Sequence, residues 1–411
     1  MDFIVPYRVA TDPFREEVLK AFDDVLTSGM FVLGDRTRDF EESFASSHGR
    51  KFGIAVNSDT AALEMALLLS AKKKDMDVSD LIVLMPDTSF YGCANVALRM
   101  GAEVAAVPST ISNGIMPTVG QVSEAISTFS DVHRKRLVYL AVYTAGTVGL
   151  DSLETIDWLT SLGIPVIEDC AHCHGATYTD GRLVGSAGPI STFSFYATKM
   201  IHSGEGGMLL VDDDDSDEFL RTYRNYGKDS SDLADPVFAD SLILGYNWRM
   251  TEFQAALGAI LWKHYKQIWM GRRKVELAYE GHYGSFQDPG ASVIWRLGVD
   301  GARGTKLSPN LYRYIVIVDW MDTVEKNYQV YERMKERGIG LQAKCNSKPL
   351  SKMAVFQEHK NFSIFPDKLG SPTDAEGYCM KHLCLPIYPT LTVDEAEYVA
   401  ESLTEVADGI R

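Results

Sequence analysis

Cysteine is scarce in this sequence: Cys93, Cys170, Cys173, Cys345, Cys379 and Cys384 are the six among 411 residues, irregularly spaced. Small disulfide-stapled scaffolds have denser frameworks, so that class is excluded and reduced thiols are expected. Positive charge is also short, with 40 Lys and Arg against 56 Asp and Glu, a formal net charge of −16. A sequence pI near 5.0 argues against a broad nucleic-acid or anionic-membrane surface, which needs a cationic field over its footprint. A local basic pocket is still compatible with it. No stretch approaches the roughly 18 apolar residues needed to span a bilayer, and the opening MDFIVPYRVATDPFREEV has no basic segment followed by an apolar one. The expectation is a soluble cytoplasmic protein without nucleic-acid or membrane partners. Repeats and long low-complexity tracts are missing as well. The most biased run, Asp212 to Glu218, reads as a solvated turn after a strand, because adjacent carboxylates repel and prefer water.

From Asp39 to about Val211, helical periodicity alternates with short apolar runs at Phe52–Asn57, Leu81–Met85, Leu137–Val142, Ile164–Asp169, Thr192–Tyr196 and Met208–Val211. Such alternation predicts an α/β domain. Several runs are apolar at consecutive positions, as expected of a largely parallel sheet covered by helices on both faces. Thr60–Lys73 reads as a helix, and Ser152–Ser161 as a weaker one. Past Lys266 the texture changes: a polar, Gly-rich stretch (Tyr279–Gly304), a strand near Leu311–Val318, a helix over Asp322–Arg337, a strand near Leu383–Ile387 and a last helix. Thr392 and Glu395 form a capping-box signature for that helix. The division expected is a large α/β domain, residues 1–265, and a small C-terminal α+β domain, residues 266–411.

The stretch from Ile164 to Gly207 carries the chemistry. Asp169 closes one apolar strand, and Lys199 follows another about thirty residues later. Ligands of parallel α/β sheets bind outside the carboxyl ends of the strands, so both residues fall on the binding edge. A carboxylate and an amine there meet the minimal needs of pyridoxal phosphate (PLP) chemistry. The lysine joins the cofactor aldehyde, and the carboxylate pairs with the ring nitrogen so that the ring withdraws electrons. Once displaced, the Lys199 amine is suited to act as general base and then acid. Phosphate needs a cradle, and Ser58, Asp59 and Thr60 stand at the start of a helix that follows a strand, with Ser194 offering a further hydroxyl. Taken alone, Ser-Asp-Thr before a helix is equally an ordinary cap. Phe90, after the run Leu81–Met85, is placed either to stack on a planar ring or to fill the core.

These residues, in this order, resemble the DegT/DnrJ/EryC1/StrS sugar aminotransferases, PLP-dependent enzymes of fold type I. The resemblance runs through Ser28-Gly29 and Gly34, Phe40-Glu41, Phe44-Ala45, Ser58–Leu63, Glu168–Gly175, Ser194–Lys199, Gly204–Gly207, Gly245–Ala256 and Leu385–Pro389. By matching position it implies that Lys199 binds the cofactor covalently, that Asp169 partners the ring nitrogen, that His172 lies near the cofactor hydroxyl and that Phe90 stacks. Ser58, Thr60 and Ser194 match the phosphate cradle, and Asp59 between them is counted with the cofactor-binding residues through its backbone amide. Asn247 resembles an asparagine that reaches the phosphate from a neighbouring subunit, implying a homodimer with shared active sites.

Two positions depart from the family pattern. Asp59 stands where small residues are usual, and a carboxylate beside a phosphate is repulsive unless the side chain turns away and leaves only its amide. Tyr143–Gly146 replaces a segment that often contains His. Lys199 opposes the dehydratase branch, whose members carry His there. Cys170-x-x-Cys173 with His172 and His174 lacks the second pair a zinc site needs, so no metal is expected. Gly29 to Gly34 has phosphate-loop spacing, but Asp35 replaces the essential Lys.

The function expected is amino transfer from an amino acid, by resemblance glutamate or glutamine, to a nucleotide-linked keto-sugar in amino-sugar or natural-product biosynthesis such as that of antibiotics. A keto-cyclitol acceptor is the main alternative. A PLP-dependent dehydratase or a non-catalytic PLP-binding protein of the same fold is a third reading. Arg36, Arg249, Arg313 and Lys344 are candidates to meet substrate phosphates.

Overall fold

The computed structural model describes residues 5, 14–229, 240–283, 294–296, 311–364 and 374–410. Eight strands form the central sheet: β1 (Phe52–Val56), β2 (Ile82–Pro86), β3 (Glu103–Val107), β4 (Leu137–Val142), β5 (Val166–Asp169), β6 (Ile190–Ser194), β7 (Gly207–Val211) and β10 (Phe362–Ile364). Their order across the sheet is β1-β7-β6-β5-β4-β2-β3-β10. All pairings are parallel except those of β7, which runs antiparallel to both β1 and β6. A smaller antiparallel sheet has the order β11-β9-β8, from Ile294–Arg296 (β8), Tyr314–Val318 (β9) and His382–Leu385 (β11).

The consecutive apolar residues of the large sheet supply two cores. Leu137, Tyr139 and Ala141 of β4 face one core, which the helices Arg15–Ser28, Asp35–Ser47, Ser152–Ser161 and Glu252–Lys263 also enter through Ala21, Phe40, Ile156 and Ala255. Val138, Leu140 and Val142 face the other, where Ala62, Ala94 and Leu220 come from the helices Asp59–Lys73, Tyr91–Arg99 and Asp214–Arg224. Burying each large apolar side chain contributes about 1.5–3 kcal/mol, which holds the strands between two helical layers. The small sheet packs its own core, including Val316, Val330, Leu383 and Val399, against the helices Tyr265–Tyr283, Val324–Glu336 and Val393–Ile410.

Two buried carboxylates lock helices to the sheet. Glu41 accepts the Ala55 amide at 2.8 Å and hydrogen bonds from Arg221 and Arg224 at 2.7 and 2.5 Å, fixing β1 against Asp35–Ser47. Glu252 caps that same helix from outside. Its carboxylate accepts the amides of Gly34 and Arg36, both at 2.9 Å, and of Thr37 at 3.2 Å, as well as the Thr37 hydroxyl.

The acidic run is not a turn. Asp213 is the N-cap of the helix Asp214–Arg224, its side chain accepting the Ser216 amide at 2.9 Å. Carboxylates are favoured in a first helical turn by the dipole, and Lys51 and Lys73 pair with Asp214 and Asp213 at 2.8 Å. Most other bounds differ from expectation by one to three residues, and two strands of the large sheet were not expected at all. β6 ends at Ser194 and not Tyr196, because the chain then turns towards Lys199 while Phe195 remains in the core. β3 was not anticipated. Neither was β10, which extends the large sheet from within the C-terminal third of the chain. Of the expected polar stretch 279–304, residues 284–293 and 297–304 lie outside the described residues. The capping box at Thr392 is present, with the Thr392 hydroxyl accepting the Glu395 amide at 3.2 Å and Glu395 accepting the Thr392 amide at 2.8 Å.

Candidate active site

Five strand exits converge on one cavity of about 480 Å³. Ser58, Asp59 and Thr60 come from the exit of β1, Phe90 and Cys93 follow β2, Tyr143 follows β4, Asp169 and His172 lie at the end of β5, and Ser194 and Lys199 at the end of β6. Of the nine cofactor residues expected, all but Asn247 line it. Arg313, Lys344 and Cys345 close its wall from the other side.

Asp169 sits on the sheet edge between β4 and β6. Its Oδ1 accepts the Ala171 amide and its Oδ2 the Cys93 thiol, both at 3.0 Å. Burial pushes its pKa up, while Cys93, Ala171 and the Lys199 charge hold it down. The adjacent Glu168 points to the opposite face of the sheet and organises the loop into β6. It accepts the amides of Gly188, Ala187 and Gly185 at 2.5, 3.1 and 3.4 Å, and a hydroxyl from Tyr178.

Lys199 is almost wholly buried, in a turn closed by its own amide on the Tyr196 carbonyl at 2.8 Å. Its Nζ stands 5.3 Å from the centre of the Tyr312 ring. His172 stacks on the same ring, 4.6 Å between centroids and 18° between planes. The Ala145 amide donates to His172 Nδ1 at 3.0 Å, so the Nε2 side carries the ring proton. Burial, with help from the Lys199 and Arg313 charges, lowers the His172 pKa well below its usual value, and the ring is neutral. The segment Tyr143–Gly146 that replaces the family's His thus contributes a backbone amide to hold His172.

At the cradle, Ser58 is the N-cap of Asp59–Lys73, its hydroxyl accepting the Ala61 amide at 3.2 Å. The amides of Asp59 and Thr60 open the helix and have no acceptor within it. The Asp59 carboxyl turns inward towards Asp169, Thr192 and Lys199, and its Oδ1 is buried without an aligned hydrogen bond. Burial first, and then Asp169, raise its pKa well above the ordinary carboxylate range. With its carboxyl turned inward and burial disfavouring its charge, Asp59 leaves its amide at the cradle in place of the repulsion its sequence position suggested. Gly207 shapes the same place: a Cβ there would lie 2.5 Å from the Ser58 carbonyl and 2.7 Å from the Asp59 nitrogen. Only glycine lets β7 brace the cradle so closely.

Phe90 is exposed at the cavity's edge beside Tyr91. Asn247 is exposed too and outside this cavity; its carbonyl accepts from the Asn57 side chain at 3.4 Å. Of the four cations considered for substrate phosphates, Arg313 and Lys344 line the cavity. Arg36 pairs with Asp24 at 2.8 Å, and Arg249 donates to Asn225 at 2.7 Å. Sequence reasoning missed Cys93, Tyr312 and Cys345, which no local motif marks. All six cysteines are free, burial raises the thiol pKa values of Cys170 and Cys173, and no metal-holding cluster occurs among the described residues. Nor is any described helix long and apolar enough to cross a membrane.

A doubly covered, mostly parallel sheet that brings a buried lysine and a buried carboxylate to one cavity, with a helix start beside them, defines a PLP-dependent enzyme of the aminotransferase class. Residues 13–404 match the DegT/DnrJ/EryC1/StrS aminotransferase family, and the chain belongs to it. Among curated relatives, the spore coat polysaccharide biosynthesis protein SpsC of Bacillus subtilis is 27% identical over 401 residues, covering 96% of this chain and 95% of that one. Among solved structures, PseC of Helicobacter pylori, an aminotransferase in pseudoaminic acid biosynthesis, superposes with TM-score 0.80 at 21% identity over the whole of both chains. DesI, solved in the presence of its TDP-sugar product, gives TM-score 0.77 at 23% identity, covering 99% of this chain and 93% of that one. The protein is therefore a PLP-dependent aminotransferase of that family.

The residues present fit that cofactor. Asp169 offers an ordered carboxylate, Lys199 a primary amine in the same cavity, and the Asp59 and Thr60 amides with the Ser58 and Ser194 hydroxyls an anion cradle. When bound, PLP supplies an electron sink for the carbon that exchanges its hydrogen.

Proposed function

We propose that this enzyme carries an amino group from glutamate or glutamine to the ketone of a nucleotide-linked sugar. The observation that carries the reading is the cavity itself, where Lys199 and Asp169 share a floor with Arg313 and Lys344 in the wall. A diphosphate-bearing acceptor needs cations within reach of the reacting amine, and these two are the cations that meet the need.

In this reading Asp169 holds the ring nitrogen protonated, and Ser58, Ser194 and the first amides of the helix bind the phosphate. His172, stacked on Tyr312, would help to hold the ring, and Phe90 would stand beside it at the cavity's edge. Lys199 would hold the cofactor through its aldehyde, and its Nζ, once free, would take the proton from the donor's α-carbon and keep it for return. In the second half it delivers a proton to the acceptor carbon. Asn247, exposed and away from its own cavity, would complete the cradle of a second copy, so the working unit is a homodimer. The boundary near residue 265 separates the part that holds the cofactor from the part that contributes Arg313 and Lys344. A cytoplasmic enzyme of amino-sugar or natural-product biosynthesis goes with this reading.

The test is mass spectrometry of products from a panel of nucleotide-linked keto-sugars and free keto-cyclitols, with glutamate or glutamine as donor. Amination confined to the nucleotide-linked acceptors is expected. Turnover of keto-cyclitols alone would sink the proposal in favour of a neutral acceptor.

A further inference from the structure

Arg313 and Lys344 share the cavity wall, but the fold meets their charges differently. Lys344 Nζ donates to the Cys379 and Met380 carbonyls at 2.9 and 2.6 Å, near the C-terminal end of the helix Asp374–Lys381, where the dipole favours a cation. Arg313 meets two neutral acceptors. Its Nη2 donates to the Tyr312 hydroxyl at 3.2 Å, with the guanidinium carbon 4.7 Å from the centre of that ring, and its Nη1 donates to Gln342 Oε1. Gln342 is buried and stands behind the cavity wall, outside its lining. We propose that Gln342 is a positioning residue for acceptor binding: it fixes Arg313 as the main anchor of the diphosphate, on the reading that the acceptor is a nucleotide-linked sugar.

The main chain of Gln342 is pinned at both of its polar groups. Its amide donates to the Cys384 carbonyl in β11 at 3.0 Å, and its carbonyl accepts the Tyr331 hydroxyl, from the helix Val324–Glu336, at 3.2 Å. Fixed between a strand and a helix, the buried side chain offers Oε1 as a stationary acceptor. Tyr312 is braced as well: its ring stacks on His172, and its hydroxyl lies 3.3 Å from that of Thr198, the residue before Lys199. The Lys199 amine stands 5.3 Å from the centre of the same ring, so the anchor and the amine are both gauged from Tyr312. A long arginine side chain normally loses rotamer freedom when it binds a ligand; here that loss is taken during folding. The acceptor type matters too. An amide oxygen directs the guanidinium without cancelling its charge, as a carboxylate would, and the planar fork keeps its affinity for phosphate oxygens. In Lys344 the bonds to the helix carbonyls, together with a pKa that burial lowers to about 8, make the ammonium the lesser partner.

Inorganic pyrophosphate is the probe, titrated into the holoenzyme by isothermal calorimetry; with the cofactor loaded its own cradle is filled, and the titration reports the wall. Gln342→Met keeps the volume and removes the acceptor, so the pyrophosphate Kd should rise about fivefold as Arg313 is left to order itself on binding. Gln342→Asn, which keeps the amide but draws it back by one methylene, is the second variant and should show the same loss. Circular dichroism and the bound-cofactor absorbance confirm that the variants are folded. Arg313→Met should raise the Kd by about ten- to a hundredfold, and Lys344→Met by less. The double variant Arg313→Met/Gln342→Met should bind no more weakly than Arg313→Met alone, because Gln342 acts through Arg313. With a nucleotide-linked acceptor, KM in the Gln342 variants should rise by the same factor while kcat stays within about twofold. Pyrophosphate that fails to bind the wild-type holoenzyme would overturn the diphosphate reading and the proposal with it. Wild-type binding that is unchanged in both Gln342 variants, losses that add in the double variant, or a larger loss in Lys344→Met than in Arg313→Met would overturn the proposal alone.

Discussion

Replacing Cys93 by Ala probes how the cavity holds Asp169 ready. The Cys93 thiol donates to Asp169 Oδ2 at 3.0 Å, the one side-chain hydrogen bond that holds down a carboxyl which burial otherwise pushes up. A hydrogen bond to a charged group contributes about 1.5–3 kcal/mol, and a thiol is a weak donor, so the lower end, about 1.5 kcal/mol, is the working figure. At about 1.4 kcal/mol per pKa unit, its loss raises the Asp169 pKa by about one unit. PLP pairing requires the ionised carboxylate. Affinity should therefore fall by up to about tenfold. The acid limb, where affinity is lost as pH drops through the Asp169 pKa, should move about one unit higher. Titrating apo-enzyme with PLP while following absorbance between pH 4 and 8 measures both. Cys93 is also buried packing, so Cys93→Ala lowers thermal stability whatever its electrostatic role. The discriminating variant is Cys93→Ser, which restores a hydroxyl donor and should return the PLP Kd to within about twofold of wild type. A Cys93→Ala enzyme that binds PLP as tightly as wild type, with an unmoved acid limb, would refute the reasoning.

Lys199→Ala should lose the borohydride-stable cofactor adduct and drop turnover by several orders of magnitude, since both its roles rest on one amine; intact adduct mass in the variant would remove Lys199 from the site. Asp59→Asn should stabilise the protein increasingly as pH rises. A carboxyl whose folded pKa lies above its unfolded value costs nothing below the unfolded pKa of about 4, and destabilises as pH climbs towards the folded one. Thermal melts from pH 4 to 8 that run parallel for the two proteins would contradict the buried, neutral assignment. Glu252→Ala strips the caps from three amides and a hydroxyl at the start of Asp35–Ser47, and should cost on the order of 3–5 kcal/mol in urea unfolding. A loss below about 1 kcal/mol would mean that water replaces the carboxylate there.

Where the sequence carried an uninterrupted apolar run, the strand was legible almost to the residue: Leu137–Val142 is β4 as expected, and Met208–Val211 misses β7 by one glycine. Ser152–Ser161, a weak helical pattern, has those bounds in the structure. Glu103–Val107 escaped notice because its Glu-Val-Ala-Ala-Val composition carries little strand signal until β2 is beside it. Phe362–Ile364 is a strand only through its pairing with β3, more than 250 positions earlier in the chain. The acidic run misled because like charges in sequence need not be neighbours in space. Once helical, the side chains of Asp213 and Asp214 separate to meet different lysines. At the site the sequence supplied the residues on strand exits, since sheet polarity places them. It was silent on Cys93, Tyr312 and Cys345, whose neighbours Asp169, His172 and Cys384 are brought close only by packing.

The reversed direction of β7 sets the mechanical frame of the enzyme. Because it runs back beside β6, the chain needs only eight residues to pass from Lys199 to Gly207, which abuts the first turn of Asp59–Lys73. The amine and the anion cradle are thereby two ends of one short rigid bracket. Arg313 and the adjacent Lys344 and Cys345 line the cavity from segments outside that bracket, so a substitution in that wall leaves the bracket's own contacts in place.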